Sequence, residues 1–107
     1  MRVLKFGGSS VANAQNIKLV LDIVVNKAKE EKLIVVVSAF SKITDLLQLA
    51  SQKAAAGDES FKEILADLET KHLDALKELI PVSEQSSLLS HIKRIINHLE
   101  TLLDGCY

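Results

Sequence analysis

Lys5, Gly7, Gly8, Ser9 and Ser10 are the residues of this sequence whose types and spacing suggest chemistry. They open the stretch KFGGSSVANAQNI, residues 5–17, which lies between a short apolar run and a long helical pattern. Glycines at such a junction let backbone N–H groups approach a ligand with no Cβ in the way. The start of the following helix adds a partial positive charge that favours phosphate. Lys5 contributes a full positive charge, and the serine hydroxyls can donate hydrogen bonds. These are the parts of a phosphate-binding edge. They also have a plainer use, since Gly-Gly after a strand makes a tight turn and a strand-edge lysine can snorkel to water. The stretch is neither a Walker A loop nor the dinucleotide fingerprint, because neither G-x-x-x-x-G-K-[ST] nor G-x-G-x-x-G occurs.

No other group competes with it. His91 and His98 stand seven apart on one helical face, but zinc sites on helices use closer spacings, and no cysteine or carboxylate cluster accompanies them. They read as surface histidines, as does His72, and no metal site is assigned. Cys106 has no partner pattern and reads as inert. Asp67 and Lys71, four apart, read as a solvated helix face.

The elements that must position the glycine turn follow from periodicity. Val3 to Phe6 reads as a strand ending at Gly7-Gly8. Ile17, Val20, Leu21, Val24, Val25 and Ala28 recur at helical spacing and predict an amphipathic helix from about Asn13 to Glu30. Leu33 to Val37 is five consecutive aliphatic residues, four of them β-branched, and predicts a fully buried strand of a parallel sheet. A β-α-β unit of this kind sets Gly7-Gly8 and Ser38-Ala39 at the same carboxyl edge, where open α/β sheets bind ligands. Beyond it, Ile43 to Ala50 predicts a helix that fades through Ala54–Gly57. A second helix is expected from Ser60-Phe61-Lys62-Glu63, in capping-box spacing, to a stop at Pro81. The stripe from Leu88 to Leu103 predicts a last helix ending at Gly105, antiparallel to its predecessor across a Pro81–Ser86 turn.

Composition sets the limits. The 107 residues are 48% hydrophobic and only 4% aromatic, so the core is aliphatic. Thirteen basic and fourteen acidic residues are interspersed, for a net charge of -1. There is no basic field for nucleic acid and no polybasic block for an anionic membrane. One cysteine allows no internal disulfide, the N-terminus has no signal-peptide pattern, and no apolar run approaches the ~20 residues that span a bilayer. A cytoplasmic chain is expected.

Two blocks carry a family resemblance. KFGGSSVAN, and then VVVSAFSKITDLL after the predicted helix, resemble the opening of the aspartokinases, whose pattern is roughly K-F-G-G-[TS]-S-V followed by V-[VL]-S-A-x-[AS]-x-[IT]-T-[ND]-L-L. The layout matches over all 107 residues and is more similar to the kinase portion of bifunctional aspartokinase/homoserine dehydrogenases. The fold class this implies is α/β: the N-terminal β-α-β part of an amino-acid-kinase α/β/α sandwich, followed by a mostly helical segment, in an incomplete domain. Residues 1–42 would be the β-α-β phosphate-binding part and 43–107 the helical part.

The activity implied is transfer of the γ-phosphoryl group of MgATP to the β-carboxylate of L-aspartate, giving 4-phospho-L-aspartate. The Mg2+ would be held mainly through the nucleotide. By that resemblance Lys5 would be catalytic, stabilising charge on the transferring phosphates. Gly7 and Gly8 would offer N–H groups to the phosphates, and Ser9, in place of the commoner threonine, would assist. Ser38 would line the site between nucleotide and aspartate, and Thr44 would contact the aspartate. Thr44 also reads as an N-cap for the helix it opens. Lys42 falls where many relatives carry glycine and is given no role. A homo-oligomer is implied for the intact protein.

The remaining strands of the sheet and the rest of the active site are expected after residue 107, so the 107-residue chain alone is expected to lack kinase activity. Two alternatives stay open. One is a related acyl-phosphate-forming kinase acting on glutamate or N-acetylglutamate. The other is a non-catalytic helical interaction module built on residues 43–103, with the β-α-β as scaffold.

Overall fold

The β-branched run Leu33–Val37 and the shorter run before Gly7 form the strands. In the computed structural model, which describes residues 1–40 and 42–107, these are β1, Arg2–Phe6, and β2, Leu33–Val37. They pair in parallel, with Arg2 opposite Leu33, Lys5 opposite Val36 and Phe6 opposite Val37. Between them lies α1, Ala14–Ala28, whose N-cap Asn13 accepts a hydrogen bond from the Asn16 N–H. The described chain divides into two compact units, Met1–Lys42 and Ile43–Tyr107.

In the first unit, Leu4, Phe6, Val35 and Val37 share one sheet face by strand alternation. Ile17, Val20 and Val24 of α1 face Val35 and Val37. Of this group only Val20 is buried, together with Val11 in the loop that precedes the helix. The opposite face is bare: Val3 is 59% exposed, Ile34 46% and Val36 44%. The expectation of a fully buried β2 is therefore corrected. Helix α1 lies on one side of this sheet and covers it only in part, since Val35 and Val37 there are still 39% and 59% exposed, and a sheet of two strands has no neighbours to close its edges. Leu21, Val25 and Ala28, expected on the inner face of α1, are exposed for the same reason.

The second unit is three helices, α2 (Ile43–Ala55), α3 (Phe61–Leu79) and α4 (Val82–Cys106). Its core is Phe61 and Leu68, fully buried, with Ile43, Ala50, Ala54, Ile64, Leu65, Ala75, Leu76 and Leu103 around them. Glu69 pairs with Lys93 at 3.9 Å and the Phe61 ring meets Tyr107, so α3 and α4 run antiparallel as expected.

Several boundaries differ from the sequence reading. Rather than fading, α2 stops sharply. Gly57 takes a φ of 74°, its N–H donates to the Ala54 carbonyl, and the Asp58 N–H donates to the Lys53 carbonyl. That is a Schellman closure. The capping box at Ser60 does not form. Ser60 has helical backbone angles and makes no side-chain cap, and Asp58 Oδ1 instead accepts from the Ser60 N–H at 2.9 Å. The Pro81–Ser86 turn is shorter than expected, because α4 starts directly at Val82. Pro81 has φ −58°, close to the helical value, and Gln85 Nε2 donates to the Ile80 carbonyl left open at the end of α3. Gly105 does not end α4, which continues to Cys106. His72 is half-buried rather than on the surface: its Nδ1–H donates to the Leu68 carbonyl, and the ring lines an apolar cavity of about 240 Å³ with Leu47, Ile92 and Leu99. Among the described residues no helix is long and apolar enough to cross a membrane.

Candidate functional site

The site begins where β1 runs out. Lys5 is the fourth of its five residues, and alternation places it with Val3 on the bare face, exposed and opposite Val36. The chain then turns at once: the Ser10 N–H donates to the Gly7 carbonyl at 3.1 Å, with Gly8 and Ser9 at the centre of the turn. Neither Gly7 nor Gly8 has a positive φ, so the backbone conformation does not itself demand glycine there.

What glycine provides is room. A Cβ on Gly7 would meet nothing within 4 Å, and one on Gly8 would rest at ordinary contact, 3.8 Å from Ser38 Oγ and 3.9 Å from the Ala39 carbonyl. Among the described residues the N–H groups of Gly8 and Ser9 donate to no backbone carbonyl. Ser38 follows β2 directly, and its N–H donates to the Phe6 carbonyl at 3.0 Å, extending the ladder by one step past Val37. The parallel pairing thus brings Gly8 and Ser38 together at one sheet edge. Such an edge, with open backbone donors, hydroxyls and a lysine one step back, suits an anion.

Thr44 belongs to the second unit. It is the second residue of α2 and exposed, and since the helix starts one residue earlier, at Ile43, it is not the N-cap. Ser41, inside the second sequence block, lies outside the described residues. Lys42, which carries no assigned role, has a φ of 69°, the left-handed region. His91 and His98 are exposed on α4.

Sequence reasoning passed over Asn16, the side chain that holds the turn. Asn16 Nδ2 donates to the Ser9 carbonyl at 3.0 Å, and the Asn16 N–H donates to Asn13 Oδ1 at 2.9 Å. The available signal was the Asn-x-x-Asn spacing at a predicted helix start, which marks a cap but not the carbonyl it reaches.

A family model for the amino acid kinase family matches residues 1–103. The chain belongs to that family. Among curated relatives, it is 37% identical over 105 residues to bifunctional aspartokinase/homoserine dehydrogenase 2, chloroplastic, of Arabidopsis thaliana; the match covers 98% of this chain and 11% of that protein. It is 38% identical over 98 residues to an aspartokinase of Chlamydia pneumoniae, covering 92% of this chain and 21% of that protein. Aspartokinase 1, chloroplastic, of Arabidopsis thaliana is 38% identical over 106 residues. The chain thus spans between about a tenth and a fifth of the length of these relatives. Within the amino acid kinase fold, its β-α-β unit and three helices are a partial α/β domain.

Proposed function

We propose that this chain supplies the phosphate-binding part of an aspartate kinase, which transfers the γ-phosphoryl group of MgATP to L-aspartate. A β-carboxylate oxygen attacks the γ-phosphorus, the bond to the bridging oxygen breaks, and ADP leaves with 4-phospho-L-aspartate formed. The observation that carries this reading is the Gly8–Ser38 edge: a turn whose glycines hold ordinary φ values and whose Gly8 and Ser9 N–H groups, among the described residues, donate to no backbone carbonyl, beside the Ser38 hydroxyl. A merely structural turn has no need of two uncommitted donors.

Lys5 stabilises charge at the transferring phosphates, Gly7, Gly8 and Ser9 hold them, Ser38 lies toward the acceptor, and Thr44 contacts the aspartate. In this reading the Mg2+ is held mainly through the nucleotide. Preference for aspartate over glutamate or N-acetylglutamate rests on the relatives named aspartokinase and on Thr44 in SKITDLL. The reading implies a cytoplasmic enzyme that assembles with copies of itself.

The test uses the full-length gene product with MgATP and hydroxylamine, which traps acyl phosphates as hydroxamates. Aspartate, glutamate and N-acetylglutamate are offered separately, each beside a Lys5→Ala variant. Hydroxamate with aspartate alone, reduced at least about a hundredfold in the variant, is the expected result. Signal with another acceptor moves the substrate, and no signal with any acceptor refutes the kinase.

A further inference from the structure

We propose that Asn16 is the positioning residue that keeps the glycine turn open to phosphate, an inference that rests on the phosphate reading above. The peptide joining Ser9 and Ser10 is held at both poles. Its carbonyl accepts from Asn16 Nδ2 at 3.0 Å, and its N–H donates to the Gly7 carbonyl at 3.1 Å. Asn16 is itself fixed as the third residue of α1, by its N–H to Asn13 Oδ1, and is half-buried beside Phe6, Ser10 and Val20. The side-chain amide therefore ties the turn to the first turn of the helix.

The consequence is electrostatic. Rotating this peptide, so that its carbonyl and N–H exchange directions, breaks both bonds, and the one from Asn16 is the share of that cost which a side chain supplies. If the Ser9 carbonyl swung toward the side where the Gly8 and Ser9 N–H groups are open, its negative end would face the phosphates and oppose them. The amide of Asn16 holds that carbonyl against α1, so the open side presents donors only.

The substitution that separates this from a structural role is Asn16→Asp. Aspartate has nearly the same shape but no donor for the Ser9 carbonyl. A negative charge in the first turn of α1 favours the helix, so the fold is kept while the tie is lost. In the full-length gene product, Asn16→Asp and Asn16→Ala are compared with Lys5→Ala. The measurements are KM for MgATP and for aspartate, kcat, MgATP affinity by direct titration calorimetry, and the thermal midpoint.

We expect both Asn16 variants to weaken MgATP about tenfold in KM and in direct binding, the loss of one hydrogen bond's worth of affinity, with the aspartate KM unchanged. The thermal midpoint of Asn16→Asp should stay that of the parent. Unchanged MgATP affinity in both Asn16 variants, with loss in Lys5→Ala, overturns the positioning role and leaves the phosphate reading intact. Equal weakening of both substrates alongside a lowered midpoint overturns it in favour of a structural role. Unchanged MgATP affinity in all three variants overturns the phosphate reading, and the positioning role with it.

Discussion

Gly8 and Gly57 both follow a regular element, and they are glycine for opposite reasons. Gly57 holds a φ of 74° at the end of α2, where a Cβ meets open space but the backbone is strained for any L side chain. Gly57→Ala should therefore lower unfolding stability by about 1 kcal/mol in a urea titration and leave MgATP affinity alone. At Gly8 the backbone is ordinary and a Cβ fits at van der Waals contact, so Gly8→Ala should change stability by less than about 0.5 kcal/mol. It should nevertheless weaken MgATP, because the methyl stands beside Ser38 at the edge proposed to take the phosphates. If Gly8→Ala bound MgATP like the parent, the close approach of phosphate to that backbone would be refuted. Lys42 is the converse case. Its φ of 69° gives a physical reason for the glycine that the family resemblance places there, and Lys42→Gly should raise stability by up to about 1 kcal/mol in the same titration. The glycine turn was legible in the sequence because residue type alone carries it. The part played by Asn16 was not, since its partner is a backbone carbonyl seven residues away and a sequence does not state where carbonyls point.

At the scale of elements, apolar spacing was enough to place both strands and all four helices, and it failed where polar groups decide an end. Ser-x-x-Glu at Ser60 has the capping-box spelling, but the Schellman closure at Gly57 delivers the chain with Asp58 already aimed at the Ser60 N–H, and the cap moves upstream. The first residues of α4 carry no apolar period, so its start at Val82 follows from Pro81 and Gln85 rather than from pattern. The relocated cap has a pH signature. The Ser60 N–H, and after it the Lys53 ammonium, hold the Asp58 carboxyl below the usual carboxylate range. A pKa lowered by folding means that the ionised form stabilises the fold. That contribution is complete above the ordinary carboxylate pKa and is lost as pH falls through the lowered value. The thermal midpoint of the parent should accordingly fall more steeply in acid than that of Asp58→Asn, with the two curves converging at the acid end. Parallel curves from neutral pH down to about pH 2 would show that the cap contributes nothing.

Across the whole chain, the two units differ in how much core they own. The second buries Phe61 and Leu68 completely and carries eight further buried apolar side chains. The first buries Val11, Ala14 and Val20, and its sheet has two strands and a bare face. A sheet of that size is marginal alone, because both edges are open and one face stays in water. The buried β2 that the sequence predicted is what a complete α/β layer would produce: the aliphatic run Leu33–Val37 is written for cover on both faces, and the 107 residues provide part of it on one. Amide exchange measures this directly. In the 107-residue chain the amides of β1 and β2 should exchange far faster than those in the middle of α3, through local openings that leave the helical unit folded. In the full-length gene product the β2 amides should gain protection by a factor of about a hundred or more, while α3 changes little. Equal protection of β2 in the two proteins would mean that the rest of the protein adds nothing to this sheet, and that the partial-domain account of its bare face is wrong.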